Sequence, residues 1–335
     1  MKSRKVLTSL LVTGLVFGGS LPATAAINVI QGFDTEGALN SDWVTAGTFT
    51  PTVVREVGDT PELALRLTPA AGSQSGFVLY DQPFNLSQGL KVDFKQYQWG
   101  GGGADGIVFF IKKASDTNNG PGATGGAMGY AGVTENSGPI NGLSGALLGV
   151  GLDAWGNHSN PAYQTGDCNP DFHGAGQNQI VVRGPGQGIL GYCMLANGYG
   201  LGVNGKKLLS DGYSNRQSSA VAVRVDLDSP FIDNPRVKVF YQGDLVVDVA
   251  LPAEFKDIYD VKFGFSAGTG GVEDNHEISD LRVTTLDTNV TYRDVSHPYG
   301  LANTGGSLAD YYLLIGAALV LIGSGVSIYR RSCKA

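Results

Sequence analysis

The sequence predicts an all-β protein built as an antiparallel β-sandwich. Short apolar runs recur along the chain, and several alternate apolar and polar residues, as in Val237–Tyr241. Glycine supplies 50 of the 335 residues without a regular period, and clusters of glycine and asparagine separate the runs. Amphipathic helical patterns are absent outside the two terminal segments. Many short strands joined by turn residues in one segment are typical of a sandwich.

The first 25 residues have the pattern of a cleaved secretory signal peptide. Basic residues open the chain, an apolar run covers residues 6–21, and small residues follow at Ala23-Thr24-Ala25. A retained membrane anchor is the alternative, but the apolar run is short and the cleavage site is clear. We therefore expect the protein to be secreted.

The opposite end of the chain has three consecutive parts between residues 301 and 335. The pentapeptide Leu301-Ala302-Asn303-Thr304-Gly305 precedes an apolar span at 311–329, and a basic tail at 330–335 follows. The span is long enough to cross a bilayer, and the positive charges predict a cytoplasmic tail. A plain single-pass membrane protein is one interpretation of this end.

The order of these three parts resembles the cell-wall sorting signal that sortases read in Gram-positive bacteria. Ala302 stands where the usual motif has proline, as in the variant common in actinobacteria. The resemblance implies cleavage between Thr304 and Gly305 and covalent attachment of Thr304 to peptidoglycan. The expected location is the outer surface of the cell wall, with the membrane contacted only through the span before sorting.

Between these ends, residues 26–286 are predicted to form one domain, and residues 287–300 are predicted to form a stalk. The whole chain has a formal net charge of −7. Several of its basic residues lie in the two terminal segments, so the domain between them is more acidic still. An acidic surface argues against nucleic acid as a partner. Cys168 and Cys193 would lie in an oxidising compartment, where a disulfide is favoured over zinc binding by two thiols.

Ten runs are the predicted strands, and three segments between them are predicted to be long loops, at 113–145, 156–178 and 184–219. The strands are expected at residues 76–80, 90–97, 107–111, 146–152, 179–183, 220–225, 237–241, 245–249, 261–267 and 278–285.

A run of four glycines, Gly100–Gly103, leads through Asp105 into the strongly apolar strand at 107–111. The apolar strand is expected to be buried, with the acid at its rim at the end of a flexible segment. A carboxylate in such a place needs a partner, either a metal ion or a ligand rich in hydroxyl groups.

Four segments in this order resemble the motifs of L-type (legume-like) lectins, which have a concanavalin-like jelly-roll sandwich. They are the acidic loop and strand Ala104–Ile111, the glycine loop Gly125–Gly129, the metal-loop strand Val150–Asn157, and the last loop Phe263–Gly271 with His276-Glu277-Ile278 after it. The resemblance covers about residues 26–286. Each motif alone has low specificity, and their common order is the stronger signal.

The resemblance implies a carbohydrate site in which Asp105 accepts hydrogen bonds from sugar hydroxyls. In the family the peptide bond before this aspartate is cis, here Ala104–Asp105. The other carbohydrate-binding residues implied are Gly126, Trp155, Asn157, Gly270 and Gly271. For Asp105 a turn or cap aspartate is the alternative, and for Gly126 an ordinary loop glycine.

The same resemblance implies one Ca²⁺ ion, held by Asp153, the carbonyl of Trp155, Asn157 and Asp171. A Mn²⁺ ion is not expected, because Gly151 stands where the family has a glutamate ligand. His158 and His173 are expected to be solvated loop residues. The acidic residues of the loop at 269–275 either set sugar specificity or form an exposed turn.

The leading interpretation is a wall-anchored lectin or adhesin that binds glycans or glycoconjugates and is not an enzyme. A structural or protein-binding surface protein on the same fold is the second interpretation. A glycoside hydrolase is the third, but such enzymes need two suitably spaced carboxylates. The acidic cluster Glu56, Asp59 and Glu62 has the wrong spacing for the strand motif of the related glucanases.

Overall fold

The computed structural model describes residues 27–169, 176–198 and 207–286. Chain contacts divide the protein into two units, Met1–Thr291 and Tyr292–Ala335, and all described residues belong to the first. The signal peptide, the stalk and the sorting signal lie outside the described residues. Within the described ranges, no helix is long and apolar enough to cross a membrane.

Two large antiparallel sheets form a sandwich, which confirms the predicted fold class. The first has eight strands: β1 (Asn28–Gln31), β3 (Thr52–Arg55), β4 (Leu63–Thr68), β6 (Leu90–Trp99), β15 (Val221–Leu227), β16 (Arg236–Tyr241), β17 (Asp244–Ala250) and β19 (Asn275–Thr284). Their order is β17-β16-β15-β6-β19-β4-β3, with β1 also paired to β19.

The second sheet has nine strands: β2 (Trp43–Gly47), β5 (Ser75–Asn85), β7 (Gly106–Lys113), β10 (Ala146–Asp153), β11 (Gln179–Arg183), β12 (Gly186–Gln187), β13 (Leu190–Gly191), β14 (Met194–Gly198) and β18 (Asp260–Gly268). Its main order is β13-β12-β10-β7-β18-β5-β2, and β11 pairs with β10 and β14.

The remaining elements are small. A separate hairpin consists of β8 (Val133–Glu135) and β9 (Gly138–Ile140), and one short α-helix, α1, covers Arg216–Ser219. Turns of 3₁₀-helix cover Leu86–Gln88, Gly125–Ala127, Pro161–Tyr163 and Ala253–Asp257.

The second sheet is buried on both faces, which explains the continuous apolar sequence of β7. Ile107, Phe109 and Ile111 point into the core between the two sheets. Val108 and Phe110 point the other way, into a second apolar cluster formed with residues 123–146 and Tyr192. Consecutive residues of a strand face opposite sides, so a strand covered on both sides is apolar throughout.

All ten predicted strands are present, but the three predicted long loops contain elements that the sequence reading missed. The loop at 113–145 carries the β8–β9 hairpin and covers the second sheet, and the loop at 184–219 carries β12, β13 and β14. Strands β1 to β4 near the start of the domain were also missed. These strands are short and interrupted by glycine or polar residues, so their alternation is weak.

The predicted disulfide between Cys168 and Cys193 is confirmed. It joins the loop that follows β10 to the segment between β13 and β14. A β-bridge between Thr165 and Gly191 lies beside it, with N···O distances of 3.2 and 2.9 Å. The loop after β10 is therefore attached to the second sheet at two neighbouring points.

Candidate functional site

Three strand ends of the second sheet meet at one place. The first residue of β7, Gly106, pairs with Asp153 at the end of β10 and with Gly268 at the end of β18. Asp105 therefore lies between the loop that follows β10 and the loop that follows β18. The sheet register alone brings together three of the four segments that the sequence analysis singled out.

Asp105 is almost fully buried, with 3% of its surface exposed, and it follows a cis peptide bond, Ala104–Asp105. Its main chain is fixed on both sides: its N–H donates to the Gly268 carbonyl at 3.2 Å, and its carbonyl accepts from Ala154 and Trp155 at 3.0 and 3.3 Å. The carboxylate position is thus set by the two neighbouring loops.

The carboxylate of Asp105 lacks a full set of partners among the described residues. The Asn157 side chain hydrogen-bonds this carboxylate. The Oδ2 atom of Asp105 is nevertheless buried and without a hydrogen-bond partner. Burial raises the pKa of Asp105 to about 6, although the Asn157 bond acts in the opposite direction. A buried carboxylate oxygen without a donor is costly, so this site is suited to a ligand that supplies one.

Glycines surround this unpartnered oxygen. A Cβ atom on Gly270 would lie 3.3 Å from Oδ2 of Asp105, and one on Gly125 would lie 3.9 Å from it. A Cβ on Gly126 would lie 2.9 Å from the hydroxyl of Tyr163 and would also overlap Asn157. A side chain at Gly126 would therefore collide with the site. A Cβ on Gly271 would meet nothing within 4 Å, so this glycine borders open space.

Asp153 is fully buried beneath Asp105 and holds the start of the next loop. Its Oδ1 accepts from the N–H of Gly156 and its Oδ2 from the N–H of His158, each at 2.8 Å. Burial, and to a lesser extent the neighbouring Asp105, raise the pKa of Asp153 to about 7. The two N–H donors and the Arg183 guanidinium lower the same pKa.

The donor chemistry at this place fits a calcium ion. Asp153 offers a carboxylate, Asn157 an amide and Trp155 a main-chain carbonyl, which are the oxygen ligands that Ca²⁺ prefers. The charge of Asp105 also raises the pKa of Asp153, and a divalent cation between them would relieve this repulsion. Within the described ranges, no group of three or more His, Cys, Asp or Glu residues could hold a metal. Asp171 and His173 lie outside the described residues.

Position 151 has no space for the glutamate that the resemblance places there as a Mn²⁺ ligand. A Cβ on Gly151 would lie 2.6 Å from Cδ2 of His158 and 2.9 Å from Cε of Met128. The prediction that His158 is solvated was wrong: it is fully buried, and its Nδ1 lies 2.8 Å from the Gly126 carbonyl. Burial, and then the charge of Arg183, hold its pKa well below the usual range.

The glycine run before Asp105 is packed against the main chain, and its predicted flexibility was wrong. Gly102 donates its N–H to the Glu273 carbonyl at 2.7 Å, and Gly101 donates to the Asp274 carboxylate at 2.7 Å. Asp274 also accepts from the Ser210 hydroxyl, and it is 1% exposed. The interpretation of this loop as an exposed acidic turn therefore fails for Asp274. Its carboxylate instead fixes the segment that leads into Asp105.

Two further residues reach the site, Tyr163 and Arg183, and neither was predicted from the sequence. Tyr163 places its phenol beside Gly126, and both Asp105 and Asp153 raise the pKa of that phenol, after burial. Its position depends on the fold of a loop that has no strand or helix pattern. Arg183 did have a signal in the sequence, since it is the one charged residue of the apolar strand Gln179–Arg183.

The predicted aromatic residue, Trp155, lies at the rim of this site. Its residue surface is 36% exposed, which makes it one of the more exposed large apolar residues of the described chain. Its main-chain N–H is held by the Asp105 carbonyl, so the exposed indole starts from a fixed backbone. A partly exposed amphipathic ring is suited to packing on an apolar ligand face.

No protein-family model matches the chain. Among solved structures, it is similar to the exoplasmic/lumenal domain of VIP36 in its Ca²⁺- and mannose-bound form, with 18% identity, a TM-score of 0.46, and coverage of 75% of this chain and 85% of that one. It is also similar to a lectin from Bauhinia forficata in complex with GalNAc, with 17% identity, a TM-score of 0.46, and coverage of 78% and 98%.

Peanut lectin with a nine-residue peptide is a further similar structure, with 21% identity, a TM-score of 0.48, and coverage of 78% of this chain and 100% of that one. With all three TM-scores below 0.5, the shared feature is the sandwich architecture alone.

Proposed function

We propose that this protein binds carbohydrate, as a lectin, at the site centred on Asp105. The observation that carries the proposal is the buried, unpartnered Oδ2 atom of Asp105, which has Gly125, Gly270 and Asn157 around it. Sugar hydroxyls are neutral donors of the right size, and hydrogen bonds to a charged acceptor are the stronger kind. The exposed Trp155 ring supplies the apolar contact that the face of a sugar ring needs.

The proposed site includes one calcium ion, with Asp153, Asn157 and the Trp155 carbonyl as ligands. A bound calcium ion would supply positive charge between the two buried carboxylates. Asn157 would then serve two roles, because its amide nitrogen can donate to Asp105 or a ligand while its amide oxygen faces the cation. The additional ligand proposed from the sequence is Asp171.

Glycan-array binding by the purified protein, with and without a calcium chelator, tests this function. Asp105→Asn keeps the size of the side chain and removes its charge. Two charge-assisted hydrogen bonds contribute about 1.5–3 kcal/mol each, so we expect affinity to fall at least about 100-fold. Asp93→Asn is the matched control, since Asp93 is 40% exposed and lies on β6 of the other sheet.

Loss of array signal in Asp105→Asn and on chelation, with Asp93→Asn unchanged, is the expected result. An array that stays blank for the wild-type protein in calcium contradicts carbohydrate binding and favours a structural or protein-binding role. Equal signal for the wild type and Asp105→Asn places the carbohydrate site elsewhere.

The glycoside hydrolase alternative loses support from the contacts of the acidic cluster. Glu56 pairs with Arg66 at 2.7 Å, and Glu62 pairs with Arg55 at 2.6 Å. Asp59 accepts the main-chain N–H of Arg216 at 2.9 Å. These carboxylates hold neighbouring segments together, so they are poorly placed to flank a scissile bond. Sustained release of reducing sugar from a glucan by the purified protein would restore this alternative.

Display on the cell wall remains a proposal that rests on the pentapeptide Leu301–Gly305, the apolar span and the basic tail. Wall digestion with a muramidase should release the protein, and Thr304→Ala should move it to the detergent-soluble membrane fraction. Detergent release of the wild-type protein from intact walls would contradict anchoring and would favour a single-pass membrane protein.

A further inference from the structure

Arg183 is a fully buried arginine at the end of β11, and its guanidinium binds main-chain carbonyl oxygens. Nε donates to His158 at 2.9 Å, and Nη1 donates to Tyr163 and Tyr192 at 3.1 and 2.6 Å. Nη2 donates to Asn160 at 3.2 Å and also to His158. Three of these four acceptors belong to residues 158–163, which directly follow the predicted calcium ligands Asp153, Trp155 and Asn157.

This arrangement has the features of an internal cation site. Carbonyl oxygens that converge on a positive charge are the usual ligands of hard cations. Burial lowers the pKa of Arg183 only to about 10, so the guanidinium stays charged at neutral pH. The charge acts on its surroundings, since it lowers the pKa of Asp153 and of His158.

Residues 157–163 form a curved segment, here called the arc, whose carbonyl groups accept hydrogen bonds from the buried Arg183 guanidinium. Asn157 at one end contacts the Asp105 carboxylate, and Tyr163 at the other end lies beside Gly126. Within the arc, Asn160 donates its N–H to the Asn157 carbonyl at 2.9 Å, and Tyr163 donates to the Asn160 carbonyl at 3.2 Å. Both ends of the arc therefore reach the site, and the guanidinium fixes the distance between them.

We propose that Arg183 is a positioning residue whose guanidinium holds residues 157–163 in the binding geometry, with or without calcium. Its hydrogen bonds to the carbonyls of His158, Asn160 and Tyr163 are the observation that supports this role. The ordering of the arc stands on these contacts alone. Its effect on ligand binding rests on the proposed function.

Hydrogen exchange of the wild-type protein, with and without chelator, tests the ordering directly. The amides of His158, Asn160 and Tyr163 are hydrogen-bonded within the arc and to Asp153. We expect their exchange rates to change less than about tenfold on chelation, because Arg183 keeps the arc folded. Exchange of these amides at the rate of an open loop after chelation would overturn the proposal.

Arg183→Lys tests the residue itself, and Arg216→Lys is the matched control. Arg216 is also fully buried, but it pairs at 2.7 Å with Glu277 on β19 of the first sheet, whereas Arg183 lies in the second sheet. Lysine keeps the charge but cannot reach four carbonyls in the planar geometry of guanidinium. We expect faster exchange of the arc amides in Arg183→Lys, by about tenfold or more, and none of this change in Arg216→Lys.

Calcium affinity of the same variants and of Arg183→Met, measured by titration calorimetry, separates positioning from simple charge. Removing a positive charge near Asp153 would by itself tighten calcium binding, whereas loss of a positioned arc weakens it. We expect about tenfold weaker binding in both Arg183 variants and a change below about twofold in Arg216→Lys. Equal or tighter binding in Arg183→Met would overturn the proposal.

The hydrogen-exchange outcomes are independent of carbohydrate binding, whereas the calorimetry rests on the proposed calcium ion. A blank glycan array with a protected arc in the wild type contradicts carbohydrate binding and leaves the role of Arg183 supported. A positive array with an arc that opens on chelation supports carbohydrate binding and contradicts the role of Arg183. If Arg183→Met does not fold, the chelation experiment on the wild type and the Arg183→Lys variant still decide.

Discussion

At the scale of single residues, the site depends on glycines, because their lack of a side chain leaves room for neighbouring residues. Gly151 leaves the space that the His158 ring occupies, and the ring in turn contacts the Gly126 carbonyl. Gly126 leaves the space between Asn157 and Tyr163. Neither glycine can therefore be replaced by a larger residue without displacing His158, Asn157 or Tyr163.

Gly151→Ala should destabilise the protein by about 1–3 kcal/mol, because the new methyl group overpacks the His158 ring. Unfolding by urea, followed by intrinsic fluorescence, measures the change. Gly120→Ala is the control, since its nearest neighbour lies 4.0 Å from the new Cβ position. Equal stability of the Gly151 variant and the control would mean that the His158 ring moves aside at no cost.

The prediction for His158 failed at this same scale for a physical reason. A histidine next to a polar loop motif is usually exposed, and its burial here depends on packing against Gly151 and Arg183, which no local sequence pattern shows. Asp105 and Asp153 could be singled out because each borders an apolar run. Side chains that enter the site through long-range packing, such as Tyr163, leave no such local pattern.

At the scale of elements, predictability follows strand length and burial. β7 and β10 were predicted closely because both are eight residues long and buried on both faces, which makes their sequences continuously apolar. β12 and β13 have two residues each and lie inside a segment expected to be a loop. Such strands exist because of their pairing partners, and sequence periodicity over two residues carries no information.

The disulfide is the element-scale feature with a direct energetic consequence. Cys168 and Cys193 are 25 residues apart, and closing a loop of that length restricts the unfolded chain by about 3–4 kcal/mol at 25 °C. We expect the double variant Cys168→Ser with Cys193→Ser to lose about this much unfolding free energy in urea. Wild-type protein in reductant is the control, and it should unfold at the same urea concentration as the variant. A smaller loss would show that the Thr165–Gly191 bridge already holds the loop.

At the scale of the whole molecule, stability at acid pH should depend on buried neutral histidine. His276 on β19 is fully buried, with its Nδ1 atom 2.6 Å from the hydroxyl oxygen of Thr68. Burial lowers the pKa of His276 to about 3. Between pH 6.5 and about 3 the unfolded chain binds a proton that the folded chain does not, so the stability of the fold falls as the pH falls.

His276→Asn should remove this dependence, because asparagine can still accept from Thr68 and does not titrate. We expect the wild type to lose about 1.4 kcal/mol relative to the variant for each pH unit below 6.5. Urea unfolding at several pH values measures the difference, which also cancels the opposite contributions of Asp105 and Asp153. Parallel pH profiles for the two proteins would show that His276 titrates normally.

The pairing of the first and last described strands has a consequence for how the molecule can be held. β1 pairs with the end of β19, with Asn28 opposite Thr284, whereas β19 begins at Asn275 near the loop that fixes Asp105. The ten residues of β19 separate these points by roughly 30 Å at about 3.3 Å per residue. A handle at either end of this domain therefore attaches far from Asp105. Immobilisation through one end on a sensor surface should leave the Asp105 site facing the solution.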